Sequence, residues 1–504
     1  MTRNYRLTLL ALLFVCLPVA PAKAQPAAAG STMAADDERL ARILQQAQRR
    51  LDEARAAAQF PGATVGFVLP DGRAGSVSTG VADVETKRPL RPADRMLAGS
   101  IGKTFVAAVT LLLVQDGRLK LDEKIARWLD QEKWFGRLPN APDITLRMLL
   151  NHSSGIRNHV EQKGFLDAIF KHSARDIRYE ELLAYVLDKK PLFPAGRGYN
   201  YADTNYILIG LIVERATGRT LYDEIAERIL RPLKLDRTIP ANSRTLPEVA
   251  NGYLANKPVI VGGKFIANPQ WEWAGGGFAS TAEDLARWAW ALYGGDVLQK
   301  DSLAEMLHST TTGEGADYGL GAMIVKSKWG KCYGHDGEFP GYLSDMRYFP
   351  SYRIAVAVMV NSDETPGVNK FLATAVDDFA QIIVKEISDR ELTAADQLKL
   401  RQSAESWLRL IDAGRFAASW TELSAELKAK YAQEQWQSAL QPLLRQVGKL
   451  KTRRFQSVNY ADPEAATVAV DFASSFTKVA AAAETVILKL EQDGHWHVAS
   501  YSIH

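Results

Sequence analysis

The chain has 504 residues, 47% of them apolar, with 61 basic against 58 acidic side chains. That length exceeds one ordinary hydrophobic core and predicts two or three domains, and the apolar content excludes disorder. A net charge of +3 gives no footprint for nucleic acid, and two cysteines exclude a disulfide framework.

Residues 1–24 read as a signal peptide. Arg3 and Arg6 precede an apolar run from Leu7 to Val19, and Ala22-Lys23-Ala24 is a small-x-small cleavage site. The run is about 13 residues, short of the ~20 that a spanning helix needs. Cys16 follows Val15 rather than the small residue of a lipoprotein site. Export to the periplasm is therefore expected, with no membrane span after cleavage. Losing Arg3, Arg6 and Lys23 leaves the mature chain near neutral, with Cys332 as its single cysteine.

Residues 25–37 are Ala-rich and expected to be flexible, and Asp36 to Gln59 has the composition of an amphipathic helix stopped by Pro61. Strands are expected over 63–69 and 75–81, joined by Pro70-Asp71-Gly72. Ser100 to Gln115 reads as an apolar helix closed by Asp116-Gly117, and 140–235 as mostly helical. Strands return at 319–325, 343–349 and 354–360. Strands from both ends of this stretch, with helices between, fit one sheet in an α+β domain spanning 38–388. From 396 to 504 helices at 397–413, 420–432 and 434–447 precede strand-like runs at 451–460, 466–477 and 484–502. Asp493-Gly494 turns the last run into a hairpin, giving a second small α+β domain.

The chemistry must come from hydroxyls, amines, imidazoles and carboxylates, because no zinc-like spacing of Cys and His occurs. Neither a metal nor an organic cofactor is expected. Ser100-Ile101-Gly102-Lys103 opens an apolar helix. Residues i and i+3 share a helix face, so the amine reaches the hydroxyl. Apolar burial and the positive end of a helix both favour a neutral, basic lysine. A phosphate-binding loop would need Gly at Leu97, and a nucleophile elbow would need Gly at Ala98. Ser475-Phe-Thr-Lys478 matches the same spacing but lies in a strand-like run, where i and i+3 face opposite sides.

Further elements follow in order: Leu149-Leu-Asn-His152-Ser-Ser-Gly155, Tyr201-Ala-Asp203-Thr-Asn-Tyr206, Ala274-Gly-Gly-Gly277 with Ser280-Thr-Ala-Glu-Asp284, and Gly334-His-Asp-Gly-Glu-Phe-Pro-Gly341. With these the chain, over about residues 38 to 385, resembles the β-lactamase-related serine hydrolases. These include class C β-lactamases, D-alanyl-D-alanine carboxypeptidases, D-aminopeptidases and esterases. The resemblance implies a β-lactamase/transpeptidase-like fold, with an antiparallel sheet flanked by helices plus a helical region.

It also implies Ser100 as the acylated nucleophile, Lys103 as its base, Tyr201 as proton shuttle and His335 at the head of the third motif. The oxyanion hole would use the backbone N–H groups of Ser100 and Glu338, the residue after Gly337. His152 would be a buried turn histidine. Two departures from the family pattern matter: Asp203 stands where many members have Asn, and His335-Asp-Gly replaces Lys-Thr-Gly. Both lower the expectation of efficient β-lactam hydrolysis and favour a carboxypeptidase- or esterase-like member, with an ester, a D-amino-acid peptide or a β-lactam as the expected substrate. The alternatives are a true class C-like β-lactamase, and a non-catalytic penicillin-binding sensor. Residues 396–504 resemble a small uncharacterised domain of exported bacterial proteins, with a shape like NTF2 or cystatin. Its Trp407, Trp420, Trp436 and Trp496 are expected in the core.

Overall fold

The computed structural model describes residues 28–171, 175–311, 316–363, 367–388, 392, 394–462, 467–491 and 493–504. The predicted signal peptide lies outside the described residues. Helix α1 runs from Ala28 to Ala58, so the Ala-rich stretch expected to be flexible is helical from Ala28 onward. Alanine has the highest helix propensity, which extends the element ahead of the expected start at Asp36.

Strands β1 (Gly62–Val68) and β2 (Ala74–Asp83) form the expected hairpin. Helix α2 (Gly102–Gln115) is buried from Gly102 to Leu111, because its apolar sequence has no polar face to turn outward. Phe105 of α2 stacks on Trp288 at 4.4 Å, and the Trp288 indole donates to Thr104 Oγ1 at 2.7 Å. Helix α3 (Asp203–Thr217) ends at Gly218, whose φ of +72° closes the last turn. Helix α4 (Ala282–Gly294) is capped by Thr281, which accepts from the Asp284 amide at 3.2 Å.

Strands β3 (Met323–Ser327), β4 (Gly330–Phe339), β5 (Tyr342–Phe349) and β6 (Ile354–Val360) follow, then helix α5 (Val368–Ser388). The sheet order is β3-β4-β5-β6-β1-β2, with short strands beyond each end, and every one of these pairs is antiparallel. The expected union of strands from both ends occurs at β1 and β6, where Ala63 stands opposite Val360. Both strands are buried along their whole length, as central strands covered on two faces must be.

A second hydrophobic core belongs to the C-terminal residues. Helices α6 (Ala394–Asp412) and α7 (Gln433–Val447), with two short helices between them, precede a four-stranded antiparallel meander. Its strands are β7 (Leu450–Asp462), β8 (Thr467–Phe476), β9 (Ala482–Leu490) and β10 (Trp496–Ile503), paired in chain order. The helix expected over 420–432 is broken at Glu422–Ser424, where Ser424 caps a new turn by accepting from the Leu427 amide. Trp407 and Trp436 are buried, and Trp420 and Trp496 pack against the same core.

Candidate active site

Ser100 lies in a single 3₁₀ turn, Gly99–Ile101, that leads into α2. One turn on, Lys103 is fully buried and its Nζ donates to Ser100 Oγ at 2.9 Å. The same amine donates to the Gly275 carbonyl at 2.5 Å and pairs with Asp203 Oδ1. Three oxygen acceptors match the three N–H donors of an ammonium. Burial alone would raise the Asp203 carboxyl, but the neighbouring Lys103 outweighs it and holds Asp203 below the usual carboxylate range.

Tyr201 enters from the loop before α3. Lys103 Nζ lies 4.9 Å from its ring centroid. Its hydroxyl oxygen is buried without a well-formed hydrogen bond, with the Ser100 hydroxyl as a polar neighbour. Burial, then the Asp203 carboxylate, pushes the phenol well above its ordinary value, so Tyr201 keeps its proton at neutral pH.

The third motif arrives on β4, which the sequence did not reveal as a strand. Gly330, Gly334 and Gly337, with Lys, His, Asp and Glu between, give this segment a weak strand signal. Those glycines are required by packing. A Cβ on Gly337 would stand 2.0 Å from the Ala98 carbonyl oxygen. Gly99 has φ +53°, and a Cβ there would stand 2.6 Å from the Glu338 amide nitrogen. The serine turn and β4 thus meet backbone to backbone, and Ser344 Oγ on β5 donates to the Ala98 carbonyl at 2.9 Å.

The structure therefore brings Ser100, Lys103, Tyr201, Asp203, Gly337 and Glu338 to one place. His335 is buried on β4 with both ring nitrogens engaged by protein: Nε2 lies 2.9 Å from Tyr318 Oη and Nδ1 2.6 Å from the Asp336 carbonyl. His152 is buried at φ +60° as expected of a turn histidine, and its ring also packs 4.3 Å from that of Tyr201. The second Ser-x-x-Lys is no site: Ser475 pairs with Thr452 on β7, and Lys478 donates to the Arg445 carbonyl.

Two residues of this centre escaped the sequence reading. Tyr318 bridges the histidines. Glu272, in Trp271-Glu272-Trp273 just before the glycine run, is 8% exposed, and a Cβ on Gly276 would stand 2.3 Å from its Oε2. Its carboxyl has no hydrogen bond or ion pair among the described residues and is pushed up to about 8, by burial first and then by Asp203. A lone glutamate between two tryptophans was the only available signal.

The β-lactamase family model matches residues 18–381, and a second model, a protein of unknown function (DUF4019), matches 403–501. Penicillin-binding protein 4* of Bacillus subtilis is 27% identical over 305 residues, 57% of this chain and 65% of that protein. A D-aminopeptidase of Cereibacter sphaeroides is 28% identical over 324 residues, 62% of this chain and 59% of the enzyme. The chain thus spans less than two thirds of each of these curated relatives. Among solved structures, a D-stereospecific amidohydrolase from Streptomyces sp. superposes with a TM-score of 0.58 at 29% identity, covering 66% of this chain and 98% of that one.

Proposed function

The chain belongs to the β-lactamase family, and on that premise we propose that it is an exported serine hydrolase that cleaves an amide or ester bond through an acyl-enzyme on Ser100. The observation that carries this reading is the buried Lys103 amine, hydrogen-bonded to the Ser100 hydroxyl, with the protonated Tyr201 beside it. Export rests on the order of basic, apolar and small residues in the first 24 positions. Among the described residues no helix is long and apolar enough to cross a membrane.

The proposed steps conserve protons. Lys103 first gives up a proton to water, while the Asp203 carboxylate paired with it stays ionised. The neutral amine then takes the Ser100 proton as Oγ attacks the carbonyl carbon. The oxyanion forms where the serine turn meets β4, and the amides of Ser100 and Glu338 are assigned to it, each worth about 3 kcal/mol. Tyr201 Oη gives its proton to the leaving nitrogen or oxygen and is reprotonated by Lys103, a transfer worth on the order of 10²–10⁴-fold. Water repeats the sequence in reverse to free the acyl group.

Amides of amino acids are the substrate class we favour. The named relatives act at such bonds, and Glu272 supplies an unpaired carboxyl that an ammonium of the acyl group would ionise and pair. A panel of amino-acid p-nitroanilides and p-nitrophenyl esters, with wild type and Ser100→Ala, tests the reading. Loss of turnover in a folded variant is expected, and unchanged turnover would refute it. For residues 396–504 we retain a separate domain of NTF2- or cystatin-like shape, a reading supported by helices leading into a four-stranded meander around its own core.

A further inference from the structure

The C-terminal domain holds a cavity of about 420 Å³, a size that suits a small organic molecule. Arg401, Glu405 and Arg409 line it from α6. Their four-residue spacing puts them on one helix face, while Leu400, Ala404 and Leu408 of the same helix fill the core. Arg453, Arg454 and Phe455 line it from β7, and Phe472 from β8. Successive side chains of a regular strand take opposite faces, so three consecutive lining residues are unusual. Here β7 is the edge strand of its sheet, and its register shifts on either side of this stretch, between Leu450 and Thr452 and between Phe455 and Ser457. Such irregularities re-aim side chains at a sheet edge. A charge that merely guards an edge strand needs no cavity, no aromatic wall and no arginine from a facing helix.

The four guanidiniums fall into two groups. Arg453 is 12% exposed and is held by Glu484 and Asp412. Arg401 donates to Glu405 at 2.7 Å and lies 4.7 Å from the Phe455 ring centroid, and Phe455 meets Phe472 edge to face at 6.1 Å. These contacts make a fixed frame of paired charges and two phenyl rings. Arg409 and Arg454 are exposed and have no carboxylate partner among the described residues, Arg409 donating only to Ser406 Oγ. Glu405, the one carboxylate on the cavity wall, is already taken by Arg401. Two positive charges are therefore left without a counter-charge beside an aromatic wall.

We propose that this cavity binds a small organic phosphate, a phosphate monoester whose dianion pairs with Arg409 and Arg454 and whose flat or apolar part lies along Phe455 and Phe472. A phosphate monoester carries about two negative charges near neutral pH, matching the two unpaired guanidiniums. Its oxygens suit the planar N–H forks of arginine. A monocarboxylate would leave one guanidinium unmatched, and inorganic phosphate would leave the two rings uncovered. The proposal concerns a site separate from Ser100 and does not rest on the serine hydrolase reading.

Titration calorimetry of the full-length mature protein with phenyl phosphate tests this. Saturable binding at one site is expected, with benzoate and inorganic phosphate each binding several-fold more weakly. The double variant Arg409→Gln, Arg454→Gln should weaken phenyl phosphate at least about tenfold, because each substitution removes a charged hydrogen-bond donor. Both side chains are exposed, so the variant should keep the wild-type Tm and ester turnover, which separates lost binding from lost folding. Ser100→Ala should bind phenyl phosphate as wild type does. Absence of saturable binding, equal affinity in the double variant, or equal affinity for benzoate or inorganic phosphate would overturn the proposal. Binding lost in Ser100→Ala and kept in the arginine variant would place the ligand at the serine and overturn it as well.

Discussion

Two buried ion pairs in this molecule look alike on paper and differ in what surrounds them. In the C-terminal sheet, Glu484 is fully buried and every acceptor position is used. Arg453 donates to it through Nε at 2.7 Å and NH2 at 2.9 Å, Tyr501 Oη donates at 2.6 Å, and Ser474 adds another bond. Arg453 also bonds Asp412 at 2.6 Å. Around Lys103, itself fully buried and paired with Asp203, Tyr201 Oη lacks a formed hydrogen bond and the Glu272 carboxyl has no hydrogen bond or ion pair among the described residues. A buried polar cluster whose members are all satisfied holds structure together. One that leaves donors and acceptors waiting is built for something that arrives later.

This contrast can be broken by mutation. Lys103→Met should lower kcat by on the order of 10³-fold or more, read in steady-state turnover of the best amide or ester. Glu484→Gln should leave turnover per folded molecule unchanged and cost about 3 kcal/mol in urea unfolding, because Arg453 loses its bidentate partner. If the effects of these two substitutions were exchanged, the distinction between the clusters would collapse. Gly337→Ala places a methyl group against the Ala98 carbonyl and should push the serine turn off β4, costing about 10²-fold in kcat with a smaller change in stability.

The smallest effect is in pH dependence, where the two clusters have opposite slopes. Glu484 is held below its ordinary value of 4.5 because its hydrogen bonds to Arg453 outweigh burial. Its stabilisation is present above that value and is lost as pH falls through the folded one. Glu272 is raised from 4.5 to about 8, so the folded state holds an extra proton in that window and stability declines as pH rises through it. Tm measured from pH 5 to pH 8 should fall more steeply in wild type than in Glu272→Gln. Parallel curves would show that Glu272 ionises normally.

Much of the site was readable in the sequence because its motifs are local. Ser100 and Lys103 lie one helical turn apart, and α2 is apolar throughout, so proximity and burial both followed from the residues themselves. The sheet built from both ends followed from β1 and β6, whose uniform apolar runs can only be central strands. What stayed hidden depends on contacts between distant segments. Strand β4 is set by backbone approach at Gly99 and Gly337, which leaves glycines and charges rather than a strand pattern. His335 meets Tyr318 and, through it, His152 from far back in the chain. Nothing near His335 in sequence announces either partner. Asp203 could be read as a departure from the family pattern, but its pairing with Lys103 needed the fold.

The most direct test of the central claim is intact-mass analysis of the mature protein quenched during turnover of a p-nitrophenyl ester or a β-lactam, followed by peptide mapping. The account predicts an adduct equal to the acyl group, or to the opened lactam, on Ser100 and none in Ser100→Ala. An adduct mapped to another residue, or turnover that persists in Ser100→Ala, would contradict it.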